Sequence, residues 1–119
     1  MIVEDEALIA FSLEDAFADA GYQVSGPFST CADGLAALGR AAPDLAILDA
    51  TLRDGSCLEL ARELRRRGIP FLIYSGRDAV EEYAPELDGI PWFNKPSPPD
   101  LMLSAAVALL DRSAPDGRA

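Results

Sequence analysis

Leu45-Ala46-Ile47-Leu48-Asp49 is an unbroken apolar run that stops on a carboxylate. A run of this length without alternation suits a strand buried on both faces, the situation in a parallel sheet covered by helices on either side. The same pattern recurs at Phe71-Leu72-Ile73-Tyr74, which ends on Ser75-Gly76. Between the two, Ser56 to Arg67 puts Leu58, Leu60, Ala61 and Leu64 on one side and stops at Gly68, which predicts a helix. Upstream, Cys31 to Arg40 reads as a helix with Ser29 or Thr30 as its N-cap, and Tyr22 to Ser25 as a strand ended by Gly26-Pro27. Ala7 to Ala20 is amphipathic through Ile9, Leu13, Ala16, Phe17 and Ala20, and Met1-Ile2-Val3 before it is a short first strand. Downstream come a weak helical stretch from Val80 to Ala84 cut by Pro85, a short strand from Pro91 to Asn94, and a strong helix from Asp100 to Leu110. Five strands alternating with helical segments at crossover spacing predict an α/β fold: a three-layer, doubly wound, five-stranded parallel sheet.

At 119 residues the chain has room for one domain, expected over 1–112, with 113–119 a disordered tail. Twenty Asp and Glu against ten Lys and Arg give a net charge of −10, which repels nucleic-acid backbones and anionic membranes. The apolar stretch from Leu101 to Leu110 is too short to span a bilayer, and the start carries no signal-peptide pattern, so a cytoplasmic location is expected. The absence of histidine removes the commonest general base and the commonest covalent phosphate carrier, and Cys31 and Cys57, which cannot complete a zinc site without it, read as small core residues. Chemistry therefore rests on carboxylates, hydroxyls and cations. Of the ten cations nine are Arg, which draws attention to the single lysine, Lys95.

Functional groups in doubly wound sheets collect beyond the carboxyl ends of the strands. Here those ends carry Glu4-Asp5, Asp49, Ser75-Gly76 and Asn94-Lys95-Pro96. Two carboxylates about 4 Å apart repel by roughly 4 kcal/mol at an effective dielectric near 20, so three together require a cation or a proton. Lys95 supplies one charge, and a hard, oxygen-seeking divalent ion such as Mg²⁺ suits the remainder. An Asp beside such an ion is a plausible nucleophile towards phosphorus.

Ile2-Val3-Glu4-Asp5-Glu6, Ile47-Leu48-Asp49, Tyr74-Ser75-Gly76 and Lys95-Pro96, in that order and spacing, resemble the receiver domain of bacterial two-component response regulators. The resemblance implies a flavodoxin-like strand order 2-1-3-4-5. It also implies that Asp49 is a phosphoacceptor served by the phosphohistidine of a sensor kinase or a histidine phosphotransfer protein. Asp5 would ligate Mg²⁺ directly, Glu4 through water, and Asp49 and the Thr51 backbone carbonyl would complete the protein ligands. Lys95 would neutralise Asp49 and later a phosphoryl oxygen, Ser75 would bond the phosphoryl group, and Ser75 with Trp92 would form the switch. A protein of this kind is a stoichiometric phosphoacceptor that assists its own phosphorylation and dephosphorylation, and not a turnover enzyme. Lys95-Pro96 is the expected cis peptide. Arg53 stands where the family usually carries proline, Trp92 is bulkier than the usual aromatic, and Arg77 is placed to overhang the phosphoryl group.

Other readings compete. Glu4, Asp5 and Glu6 could simply cap the first helix, and Arg62, Arg65, Arg66 and Arg67 read as a solvated helix face. The chain could be a pseudo-receiver acting only as an interaction module. Asp49-Ala50-Thr51 also resembles the first motif of haloacid-dehalogenase-type phosphatases, but Thr51 stands where they need a second Asp. On the last helix Leu101, Ala105, Ala108 and Leu109 fall on one side and Leu103, Ala106, Val107 and Leu110 on the other. Only one side is expected to meet the sheet, leaving Leu103 and Leu110 to a dimer or target protein.

Overall fold

The computed structural model describes residues 1–76, 86, 87 and 89–112. Strand β1 (Ile2–Val3) leads into α1 (Ala7–Asp19), and α2 (Cys31–Arg40) precedes the central strand β2 (Ala46–Asp49). A small hairpin, β3 (Thr51–Leu52) and β4 (Gly55–Ser56), then leads to α3 (Leu58–Arg66) and β5 (Phe71–Ser75). After β6 (Trp92–Asn94), α4 (Pro99–Arg112) closes the described chain. The main sheet is ordered β1-β2-β5-β6 and is parallel throughout, with Val3 opposite Leu48, Asp49 opposite Tyr74 and Ser75 opposite Asn94.

Alternation along the strands builds a core on each face. Val3, Leu48 and Ile73 point to one side and pack with Leu38, Leu60 and Leu64 of α2 and α3. Ile2, Ile47, Leu72 and Tyr74 point to the other and pack with Leu13, Phe17, Met102 and Ala106 of α1 and α4. This is the three-layer α/β arrangement expected from the runs. Gly34 lets α2 sit close on the sheet: a Cβ there would come within 2.8 Å of Leu60 Cδ2 and 3.3 Å of Val3 Cγ2. Cys31 and Cys57 are buried free thiols, and burial pushes Cys57 up to about 12, so both belong to the core.

Three local expectations change. The end of the segment read as the second strand meets β1, with Ile2 N–H donating to Ser25 O (3.0 Å), and the pairing continues past Gly26–Pro27, with Phe28 N–H donating to Ile2 O (2.9 Å) and Glu4 N–H to Phe28 O (2.8 Å). It thus holds the edge place in the expected order. It forms only an isolated bridge, Val3 to Phe28, because Gly26 turns the chain at φ +101° and Pro27 has no N–H to give. The stretch after Asp49, read as a loop, is the β3–β4 hairpin, and Gly55 adopts φ +123° in it. On α4 both sides meet the core in part: Met102 and Ala106 are buried, Leu103, Ala105, Leu109 and Leu110 pack partly against the same core, and Leu101 and Ala108 stay exposed. Leu103 and Leu110 are therefore partly buried against the core and not left wholly to solvent, because the helix settles with the seam between its two stripes facing the sheet. The large apolar side chains exposed among the described residues are Leu8, Phe11, Tyr22 and Leu101.

Lys95–Pro96 is cis. Thr30 is the N-cap of α2, its hydroxyl accepting from Asp33 N–H at 3.0 Å. The helical stretch expected from Val80 to Ala84, Arg77 and the tail 113–119 lie outside the described residues. No helix among the described residues is long and apolar enough to cross a membrane.

Candidate functional site

Four carboxyl-terminal strand ends bring their polar residues together because parallel strands in register all end at the same edge of the sheet. β1 ends and delivers Glu4 and Asp5, β2 ends on Asp49, β5 on Ser75, and the turn after β6 delivers Lys95. Lys95 N–H donates to Ser75 O at 2.7 Å, which ties that turn to β5. Its ammonium lies 3.0 Å from Asp49 Oδ2, 2.8 Å from Glu4 Oε1 and 3.2 Å from Glu6 Oε1. Glu4 and Asp49 are almost fully buried, at 2% and 4% exposure, while Asp5 is half-buried.

Two buried acids share one lysine, and their hydrogen bonds decide which of them holds charge. Burial alone would raise Glu4, but Lys95, the Tyr74 hydroxyl and Glu6 N–H donate to it and together hold it below the usual carboxylate range. Asp49 has Lys95 and Thr51 N–H (Thr51 N to Asp49 Oδ1 3.2 Å), yet burial and the adjacent negative Glu4 push it up to about 7. Asp5 is raised as well, by burial first and then by Glu4. Lys95 rises despite its own burial, because Glu4 and Asp49 both accept from it, and it stays charged.

One oxygen from each of Glu4, Asp5 and Asp49 lies within 4.8 Å of the others. This all-oxygen set fits a hard cation such as Mg²⁺, and it fits neither a thiol nor an imidazole-seeking metal. Thr51, exposed in β3, sits on the hairpin directly after Asp49, which brings its main chain to the site's edge. Ser75 is buried at 3% exposure. Trp92 is half-buried in β6 against the α2/α3 core, opposite Ile73 and two positions before the strand end.

The helix-capping reading of the acids does not describe their contacts. Glu6 is the N-cap residue of α1, and its side chain caps no helix N–H; its carboxylate meets Lys95 instead. Three participants were not singled out from the sequence. Glu6 is one. Tyr74 is another: it donates its hydroxyl to Glu4 Oε1, and its ring lies under the Lys95 ammonium, 4.9 Å from centroid to nitrogen. A tyrosine inside an aliphatic buried strand is itself a signal, since its hydroxyl needs a polar partner there. The third is Asp54, whose oxygens accept from Cys31 N–H (2.8 Å) and Ala32 N–H (3.0 Å), fastening the hairpin after Asp49 to the start of α2. This carboxylate joins the burial of Leu52 in the core in holding the hairpin to the rest of the domain.

Comparison with known proteins agrees with this geometry. The family description "Response regulator receiver domain" matches residues 1–106. Response regulator MprA of Mycobacterium sp. (strain KMS) is 32% identical over 98% of this chain and 52% of its own length, so the chain spans about half of the curated relatives it matches. SdrG from Sphingomonas melonis Fr1 is 34% identical with a TM-score of 0.72, covering 92% of each chain. A response regulator receiver protein from Sinorhizobium medicae WSM419 shares the fold with a TM-score of 0.85 at 24% identity, over 95% of this chain and 94% of that one. The acids after β1, Asp49 and Lys95 all fall inside the matched stretch, and a chain alike in sequence and fold over that length belongs to the response regulator receiver domain family.

Proposed function

We propose that this domain accepts a phosphoryl group on Asp49 from the phosphohistidine of a sensor kinase or histidine phosphotransfer protein, in a two-component phosphorelay in the cytoplasm. The observation that carries this reading is a buried carboxylate at the end of the central strand, 3.0 Å from the only lysine and beside two further acids. An Asp49 oxygen attacks phosphorus, the phosphorus–nitrogen bond of the donor breaks, and the imidazole leaves with that electron pair. The product is an acyl phosphate on Asp49.

Phosphoryl transfer depends on charge clamping and alignment more than on a base, which suits a site without histidine. Glu4, Asp5, Asp49 and the Thr51 carbonyl would hold Mg²⁺, which supplies positive charge to the phosphoryl oxygens when bound. Lys95 passes from the Asp49 carboxylate to a phosphoryl oxygen, which keeps the buried charge balanced. The Ser75 hydroxyl takes another oxygen, and the accompanying shift, relayed through Trp92, alters a partner-binding surface. In this reading the protein is a stoichiometric phosphoacceptor that assists its own phosphorylation and dephosphorylation, and not a turnover enzyme.

Intact mass after incubation with acetyl phosphate and Mg²⁺ tests the reading. One phosphoryl group should appear, and it should be absent in Asp49→Asn. A chain that binds partners but never gains phosphate would instead be a pseudo-receiver, and full labelling of Asp49→Asn would refute the acceptor assignment.

A further inference from the structure

Tyr74 lies one position before Ser75 in β5, on the face packed against α1 and α4, with only 2% of its surface exposed. Its ring belongs to the core, but its hydroxyl reaches the edge where the acids meet and donates to Glu4 Oε1. The other Glu4 oxygen, Oε2, accepts Glu6 N–H at 2.9 Å. Glu4 is therefore gripped at both oxygens by groups on different elements, β5 and the start of α1. The Lys95 ammonium, 2.8 Å from the same Oε1, lies 4.9 Å from the ring centroid, within cation–π range. One side chain thus contacts both the carboxylate and the cation of the site.

The geometry points to Tyr74 as a positioning residue that acts through Glu4: its hydroxyl sets the orientation in which the Glu4 carboxylate meets a divalent ion. This deepens the functional reading above and rests on it for the ion. The physical reason is orientation. When Lys95 turns towards a phosphoryl oxygen, Glu4 Oε1 loses a partner, and a buried carboxylate with one oxygen unheld would rotate away from the ligand geometry. The Tyr74 hydroxyl stays in place because the ring is locked in the core. Partners behind a metal-binding carboxylate typically contribute about 10–100-fold to affinity.

Tyr74→Phe keeps the ring, and with it the packing and the contact with Lys95, and deletes only the hydroxyl. Calorimetric titration of the full chain with Mg²⁺ at pH 8 should show binding about ten-fold weaker in Tyr74→Phe. In a Glu4→Ala background the same change should cost nothing further, since the residue through which it acts is already gone. In the unaltered chain the Tyr74 hydroxyl proton should be visible by NMR and protected from exchange, and should lose that protection in Glu4→Ala, which removes the accepting oxygen. Equal or tighter Mg²⁺ binding by Tyr74→Phe, an undiminished loss in the Glu4→Ala background, or a freely exchanging hydroxyl in the parent each overturn the inference while leaving the function intact. A parent chain that binds no Mg²⁺ overturns the functional reading and this inference together. If Tyr74→Phe does not fold, the NMR measurement on the parent and on Glu4→Ala decides alone.

Discussion

Replacing Asp49 with Asn should make the metal-free protein more stable, although it deletes an ion-pair partner of Lys95. The folded state raises Asp49 from its ordinary 3.8 to about 7, chiefly through burial and then through Glu4. That is a shift of about three units, and at about 1.4 kcal/mol each the ionised side chain costs the fold up to ~4 kcal/mol. Rearrangement of Lys95 around Glu4 lowers the net figure, so about 2–4 kcal/mol is expected. The sign follows from proton binding. Between pH 4 and 7 the folded state holds more protons on Asp49 than the unfolded state does, so this group makes stability fall as pH rises. The gain from Asn should therefore be complete above about pH 7, roughly halved near pH 5.4, and gone below pH 4. For a chain of 119 residues each kcal/mol moves the melting temperature by about 4 °C. Thermal and urea unfolding in the presence of a chelator, at pH 8 and at pH 5, measures both the size and the pH trend. Adding Mg²⁺ should stabilise the parent more than the variant and narrow the gap. An Asn variant no more stable than the parent at pH 8, or a difference that ignores pH, would refute the reasoning.

Asp5→Ala should weaken Mg²⁺ binding more than Glu4→Ala, because Glu4 is already held by Lys95 at 2.8 Å while half-buried Asp5 would be the direct ligand; equal losses by titration would sink that assignment. Lys95→Arg should keep Asp49 charged-paired yet impair phosphorylation-driven switching, since a planar fork does not fit a place bounded by two buried carboxylates and the Tyr74 ring; switching measured by partner binding should fall, and unchanged switching would make the lone lysine incidental. Leu103→Ser with Leu110→Ser should destabilise the fold by about 2–4 kcal/mol in urea unfolding, and a neutral result would return those leucines to the surface.

Much of this protein was legible before any coordinates. The apolar runs at 45–48 and 71–74 have the length expected of strands with helices over both faces, and their period-two alternation sorts Leu48 and Ile73 to one core and Ile47 and Leu72 to the other. Because parallel strands end at one edge, reading their last residues was enough to bring Glu4, Asp5, Asp49, Ser75 and Lys95 to one place. These are properties of local pattern and chain direction, which sequence carries directly. What only the tertiary structure decided depends on distances between elements. The Tyr22–Ser25 stretch has the composition of a strand, but with β1 only two residues long and Pro27 unable to donate an N–H, the ladder beside it shrinks to a bridge. The stripes of α4 gave two equal ways to dock, and packing chose the seam between them, burying Met102 and Ala106. Asp54 and Tyr74 looked like a turn residue and a strand residue, and each gains its role from a partner 22 or more positions away: the N–H groups opening α2 for one, the Glu4 carboxylate for the other. The division of charge between Glu4 and Asp49 belongs to the same class, because two chemically similar acids differ only in how many donors the fold aims at each.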